Sequence, residues 1–336
     1  MIEEEKVSFK WPLLGHNKVK QYLKSCLQNE SLGHAYLFSG PQHTGKIFTA
    51  SLIASTLLCE NAGGKKPCNN CNSCSQISKN LHPDVTFVTL QEGKKNITID
   101  QIRDLQHALS LRSFLANYKI TIIENAELLN EEAANALLKT LEEPGEKTLF
   151  ILCTASKEAL PQTITSRCQT IQFNLVPQYL IENWLISRGK SKKEARVIAR
   201  FSEGRPGIAT QMLLDESFLN ERTEHNNTLI ELLKSDLNEK FAVINTLIQS
   251  SDFQNNDESI DLFLKDWIIL LRDIILVKNN IQHVSNTLFI NQISALACNM
   301  NIDTIQRAII NISASRKLVK QSVNPKLILE NLVLSI

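Results

Sequence analysis

Cys59, Cys68, Cys71 and Cys74 fall in one short stretch, with eight residues after the first and two between each of the others. Three cysteines at that spacing, in a segment that also holds Gly63, Gly64, Pro67, Asn69 and Asn70, cannot all pack as core. Four thiolates in a tetrahedron make a closed structural zinc site with no position left for a substrate water. The alternative is four reduced free thiols, because the spacing differs from the common paired CxxC…CxxC form. Cys26, Cys153, Cys168 and Cys298 are scattered and are expected as small buried hydrophobes.

The segment Gly40-Pro41-Gln42-His43-Thr44-Gly45-Lys46 lies between a β-rich run and a helical pattern. In that setting glycines let backbone N–H groups face phosphates, and the lysine reaches the terminal ones. Gly40, Thr44, Gly45 and Lys46 are therefore candidate nucleotide-binding residues, with ATP or ADP as the ligand. Ile47 stands where a Ser or Thr hydroxyl would hold Mg²⁺, and an isoleucine cannot ligate a metal. Lys119–Glu127 is an apolar strand pattern ending in Glu124 and Asn125. An acid at the end of such a strand contacts Mg²⁺, and a second acid after it activates water. Glu124's longer stem leaves a metal contact open, whereas the Asn125 amide has no basic oxygen to take a proton. Arg167, in Thr165-Ser166-Arg167-Cys168, would be an ordinary surface residue in isolation; in a phosphate-binding protein of this layout it is a candidate arginine finger. The histidines at 16, 34, 43, 82, 107, 225 and 283 show no ligand spacing or nucleophile partner and read as structural.

These residues need a scaffold, and the first half of the chain supplies one by alternation. Short β-rich runs occur at 35–39, 85–90, 119–124, 149–154 and 170–173. Helical patterns at about 17–29, 46–58, 99–112 and 130–142 lie between them. Asn130 followed by Glu131 and Glu132 suits a capped, acidic first turn, and Pro144-Gly145 ends that helix. Strands alternating with helices predict an α/β domain over 1–175, a parallel sheet covered on both faces. From Val176 the strand signal disappears. Short helices broken at Gly189 and at Gly204-Arg205-Pro206-Gly207 predict a small helical region over 176–216. Longer amphipathic patterns over 217–336 predict an all-helical domain, with an exposed loop at 252–258.

Composition narrows the function classes. The 336 residues carry 36 Lys+Arg against 35 Asp+Glu, and 43% are hydrophobic. This is globular composition, and the balanced charge argues against wholesale wrapping of nucleic acid while leaving room for a local basic face. There is no aromatic–basic patch of the kind a free-standing DNA-binding protein would show. The acidic start Met1-Ile2-Glu3-Glu4-Glu5 is followed by no apolar segment, and no run approaches the length that spans a bilayer, so a cytoplasmic protein with no membrane partner is expected.

Several segments taken together resemble one family, the AAA+ clamp-loader subunits of bacterial DNA polymerase III. They are Leu14-Gly15-His16, His34–Pro41, the four-cysteine insert, Ala134–Pro144 and Ser166-Arg167-Cys168, and the resemblance covers about residues 11–215. It implies a P-loop α/β core, a helical lid over 176–216 and a helical collar for oligomerisation over 217–336. It also implies a heteropentamer with gamma/tau motor subunits and a delta subunit, which loads a sliding clamp onto primed DNA. Motors of this family keep a Ser/Thr after the P-loop lysine, an Asp-Glu pair, and a sensor arginine in the lid. Here Ile47, Glu124 and Asn125 depart, and Gly207 aligns with the lid arginine, Arg205 lying two residues earlier. The resemblance therefore implies a part of the holoenzyme that is itself neither polymerase nor active ATPase, and that supplies Arg167 in trans. An ATP-hydrolysing gamma/tau-type subunit is the other reading.

Overall fold

Five consecutive residues, Ala35–Ser39, are all buried, as a strand covered on both faces must be. In the computed structural model of the chain, which describes residues 8–9, 11–61, 65–111, 118–250, 253, 257–281, 284–319 and 323–335, this strand is the axis of the first half. The strands are β1 (Ser8–Phe9), β2 (Ala35–Ser39), β3 (Lys65–Lys66), β4 (Val85–Val88), β5 (Lys119–Ile123), β6 (Thr148–Thr154) and β7 (Gln169–Gln172). The main sheet has the order β4-β5-β6-β2-β7, and all of its pairings are parallel. A separate two-residue ribbon joins β1 to β3.

The helices that connect these strands are α1 (Asn17–Gln28), α2 (Lys46–Leu57), α3 (Asn72–Ser78), α4 (Ile99–Ser110), α5 (Glu131–Glu142) and α6 (Gln162–Thr165). Two apolar clusters fill the two faces of the sheet. Tyr36, Phe38, Ile53, Ile122 and Ile151 lie in one, and Leu37, Ile102, Leu137, Phe150 and Leu152 in the other. Adjacent residues of β2 and β6 thus point to opposite faces, the period-two alternation of a strand. Asn130 caps α5 as the sequence implies, its side chain accepting from Ala133 N–H at 2.8 Å.

The expected strands and helices are all present, each ending within two residues of its predicted limit, apart from the end of α4. Its predicted limit, residue 112, lies outside the described residues, as do Gly63, Gly64, His283 and most of the expected 252–258 loop. The ribbon and the short helices α3 and α6 carry no period a sequence window could detect. One expectation is corrected: Cys298 is exposed. It faces solvent because the helix Ile290–Asn299 turns Ile293, Leu296 and Ala297 inward instead.

The chain divides into two compact units, Met1–Ile181 with Gly204–Gly207, and Glu182–Glu203 with Ile208–Ile336. The second is helical. It contains α8 (Lys192–Phe201), most of α9 (Pro206–Leu214), α10 (Glu216–Lys234), α11 (Leu237–Gln249), α12 (Asp257–Lys278), α13 (Ile290–Asn299), α14 (Ile302–Val319) and α15 (Pro325–Leu334); α7 (Gln178–Ser187) runs from the first unit into it. Its core gathers on α12, where Ile260, Phe263, Leu264, Trp267, Leu270 and Leu271 are buried. No helix among the described residues is long and apolar enough to cross a membrane.

A charged triad lies inside this second unit. Arg222 forms an ion pair with Asp266, with side-chain exposures of 4% and 0%. His225 Nδ1 lies 2.9 Å from the other oxygen of Asp266, and the Arg222 guanidinium sits 5.6 Å over the Phe201 ring. Removing one partner of a buried pair strands the other charge out of water. Asp266→Ala should therefore destabilise the second unit by about 3–5 kcal/mol, read as a lowered thermal transition. Replacing Arg222 by Met and Asp266 by Leu together should recover a large part of that loss.

Candidate functional site

The chain leaves β2 through Gly40, and the exit is narrow. Gly40 N–H donates to Thr154 O at 3.2 Å, while Phe173 N–H donates to Ser39 O at 2.7 Å. Gly40 has φ 144°, and a Cβ there would lie 1.9 Å from the Phe173 carbonyl oxygen. Beyond it the loop is tied to itself. Thr44 Oγ1 donates to Pro41 O at 2.8 Å, and His16 Nε2 is 3.0 Å from Thr44 O. Gly45, with φ 98°, is the N-cap of α2, so the loop ends in a helix whose first N–H groups are free to face an anion.

Lys46 opens that helix and turns its side chain back. Its Nζ donates to Gly40 O at 2.6 Å and to Pro41 O at 2.7 Å, and the side chain is buried. Burial pushes the ammonium pKa down, while Cys153, Glu127 and Glu124 pull it up. Lys46 lines a cleft of ≈ 290 Å³ together with Ile47, Glu124, Asn125, Cys153 and Gly207. Gly45 and Lys46 therefore meet Glu124 at the end of β5, remote in sequence, whereas Gly40 and Thr44 do not line the cleft.

The cleft also explains what Ile47 and Asn125 deny it. An isoleucine and an amide stand where a metal-binding hydroxyl and a proton-accepting carboxylate would be needed. Asn125 has φ 50° and caps the single turn Ala126–Leu128. Asparagine tolerates that left-handed conformation better than most residues, which gives it a local structural use. Gly207 N–H donates to His43 O at 2.9 Å, and a Cβ on Gly207 would come within 3.0 Å of the same oxygen. Backbone therefore meets the loop at Gly207, and Arg205 is not among the cleft-lining residues.

Two participants were not singled out from the sequence. Cys153 lies beside Lys46, and burial pushes its thiol well above the usual range. Glu127 accepts from Ala155 N–H at 3.2 Å and adds negative charge toward Lys46. Its place three residues after Glu124 is the one signal that points to it.

Arg167 does not line the cleft. It follows α6, donates to Thr163 O at 2.9 Å and forms an ion pair with Glu142 at the end of α5. The pair is half exposed, with side-chain exposures of 37% and 48%. Such pairs are worth only about 0–1 kcal/mol, so the guanidinium can be drawn off by a stronger anion.

The four clustered cysteines do converge. Their sulfur atoms all lie within 4.8 Å of one another, close to the spacing of about 3.8 Å that Zn–S bonds of 2.3 Å would impose. Cys59 follows α2, and Cys71 caps α3, accepting from Cys74 N–H at 3.4 Å. Cys68 accepts from Cys71 N–H at 3.3 Å. Backbone donors at Asn70 and Cys71 bring the Cys68 thiol down to about 6, whereas burial raises Cys59 and Cys74. Behind the cluster, Glu60 accepts from Ser73 N–H at 3.0 Å and Ser73 Oγ at 2.7 Å, and His82 Nε2 lies 3.3 Å from the same hydroxyl. Four sulfurs, an anchored helix cap and no oxygen ligand in the set fit a closed structural metal centre.

Known proteins are similar to this chain in sequence and in fold. The family model described as DNA polymerase III, delta subunit, matches residues 15–177, and that of its C-terminal part matches 217–336. The chain is 30% identical over 319 residues to the DNA polymerase III subunit delta' of Bacillus subtilis, covering 94% of each protein. The chain belongs to the delta' family of DNA polymerase III subunits. It is also 37% identical over 169 residues to the B. subtilis subunit tau, covering half of this chain and 30% of tau. In fold it is similar to a crystal structure of a DNA polymerase III gamma subunit-related protein from Thermotoga maritima, with a TM-score of 0.50 and 17% identity over 93% of this chain and 97% of that one.

The Gly40 exit makes a sharp test of the loop geometry this family member uses. Gly40→Ala should cost about 2–3 kcal/mol, because the strained φ and the clash with a backbone oxygen act together. Gly33→Ala meets nothing closer than 3.6 Å and should be nearly neutral. Thermal melts of the two variants check the contrast.

Proposed function

We propose that this chain is a clamp-loader subunit that does not turn over nucleotide itself and that acts on its neighbours. In this reading 1–175 is the AAA+ core, 176–216 the lid and 217–336 the collar. The chain joins gamma/tau motors and a delta subunit in a heteropentamer that opens a sliding clamp on primed DNA. The observation that carries it is the cleft beside Lys46, where Ile47 and Asn125 replace the two groups that hydrolysis needs. Purified chain should show no Mg²⁺-dependent ATP hydrolysis. Hydrolysis that Lys46→Ala abolishes would instead make it a motor of the gamma/tau type.

Nucleotide binds in this cleft without turnover, against Gly45, Lys46 and Glu124, while Gly40 and Thr44 hold the shape of the loop. Lys46 must then exchange its two loop carbonyls for phosphate oxygens. Ile47→Thr should tighten Mg-nucleotide binding in a calorimetric titration by restoring a hydroxyl ligand, and should create no turnover while Asn125 remains.

Arg167 is assigned the role of a finger offered to the neighbouring subunit's nucleotide. A guanidinium stays protonated and forks onto phosphate oxygens. Arg167→Ala should leave the chain's melting temperature and its incorporation into the complex nearly unchanged, since the ion pair it loses is exposed. Clamp- and DNA-stimulated ATPase of the assembled complex should fall. A lowered melting temperature with normal ATPase would make Arg167 a structural anchor.

The cysteine centre is assigned to zinc. Protein purified without chelator should contain about one zinc per chain, and Cys68→Ser should lose it and lower the thermal transition of the first unit. A zinc content near zero with four freely titrating thiols would overturn the assignment.

A further inference from the structure

The chain's charge is balanced overall, but Arg188–Arg200 carries six basic residues against the single acid Glu194. Most of this stretch is α8, whose Ala195, Ile198, Ala199 and Phe201 are buried. That leaves Lys192, Lys193 and Arg196 on the solvent face, all exposed. Arg196 lies 3.5 Å from Glu182, while Lys192 and Lys193 have no ion-pair partner among the described residues. The two lysines stand in the first turn of α8, where the positive end of the helix dipole opposes them. Their place thus works against local stability, and the positive field there is concentrated rather than neutralised.

Within the same unit these three side chains form one wall of a groove of ≈ 530 Å³, with Val197, Thr287 and Leu288 completing it. Among the described residues no aromatic ring lines the groove, so they offer nothing on which unpaired bases could stack. Charge without stacking suits the phosphate backbone of a duplex.

We propose that Lys192, Lys193 and Arg196 form a contact for the sugar-phosphate backbone of duplex DNA, independent of base sequence. The choice of DNA as the polyanion rests on the reading above; the surface and its mode of contact go beyond it. Each phosphate neutralised steepens the salt dependence of binding by about 0.9 in log–log slope, so three contacts set a slope change of about 2–3.

The test uses the full chain and a labelled duplex of about 20 base pairs, a single strand of the same length and polyglutamate, titrated between about 50 and about 200 mM salt. The chain should bind the duplex in preference to the single strand. The triple variant Lys192→Gln, Lys193→Gln, Arg196→Gln should weaken duplex binding at least about tenfold at the lower salt and flatten the slope by about 2–3. Lys192→Arg with Lys193→Arg should retain binding, because it keeps the charge. Should the triple variant melt early, Lys193→Gln alone gives the same test through a slope flattened by about 0.9. No duplex binding by the unaltered chain, an unchanged slope in the variants, or preference for the single strand or polyglutamate would overturn the proposal. Incorporation of the triple variant into the clamp-loader complex is measured separately. Normal incorporation with unchanged duplex binding sinks this contact alone, whereas failure of the unaltered chain to assemble sinks the reading it rests on.

Discussion

The first unit depends on the distance between Gly40 and the Phe173 carbonyl. β2 is paired on both edges, to β6 and to β7, so its end is fixed from two sides. The chain must then turn out of the sheet past the end of β7, where a Cβ would stand 1.9 Å from backbone oxygen. Only glycine passes, and the turn it permits sets where Thr44, Gly45 and Lys46 fall. The cleft is thus a consequence of sheet pairing: α2 begins where the loop delivers it, with its N-terminus aimed at the space beside β5 and β6.

Around that space the electrostatics are self-contained. Lys46 is buried and satisfied by two carbonyls of its own loop, with Glu124, Glu127 and Cys153 near enough to influence its charge. A buried cation with hydrogen-bond partners is tolerable without a ligand, whereas an unpartnered one would be costly. The same economy is visible at Asn125 and Gly207. Each serves a local purpose, Asn125 in a left-handed cap and Gly207 in a close backbone approach to His43.

The second unit and the cysteine insert solve a different problem, that of holding polar groups where apolar burial cannot. In the insert, which has few large apolar side chains, four sulfurs converge, and the Cys71 cap and the Glu60–Ser73–His82 hydrogen bonds hold the backbone that carries them. In the helical unit Arg222, His225 and Asp266 share one buried site among aromatic side chains. Each enforces one geometry, because a buried charge left without its partner is costly and a structural metal centre forms only where all four thiols come together.

The elements of the α/β core were legible in sequence because their signals are local. The buried runs at 35–39 and 149–154, the Asn130 cap and the Pro144-Gly145 stop act on neighbours in the chain. The Gly40–Lys46 loop and the cysteine spacing are legible for the same reason, since each places its residues close together in the chain. Tertiary structure alone decided the rest. Nothing local pairs Arg167 with Glu142, sets Cys153 and Glu127 near Lys46, or brings Gly207 against His43, because each is a meeting of segments far apart in the chain. Nor does sequence charge distinguish Lys193, exposed in a groove, from Arg222, buried against Asp266. The residue type fixes the charge and its chemistry, but whether water or protein surrounds it is settled only when the helices pack.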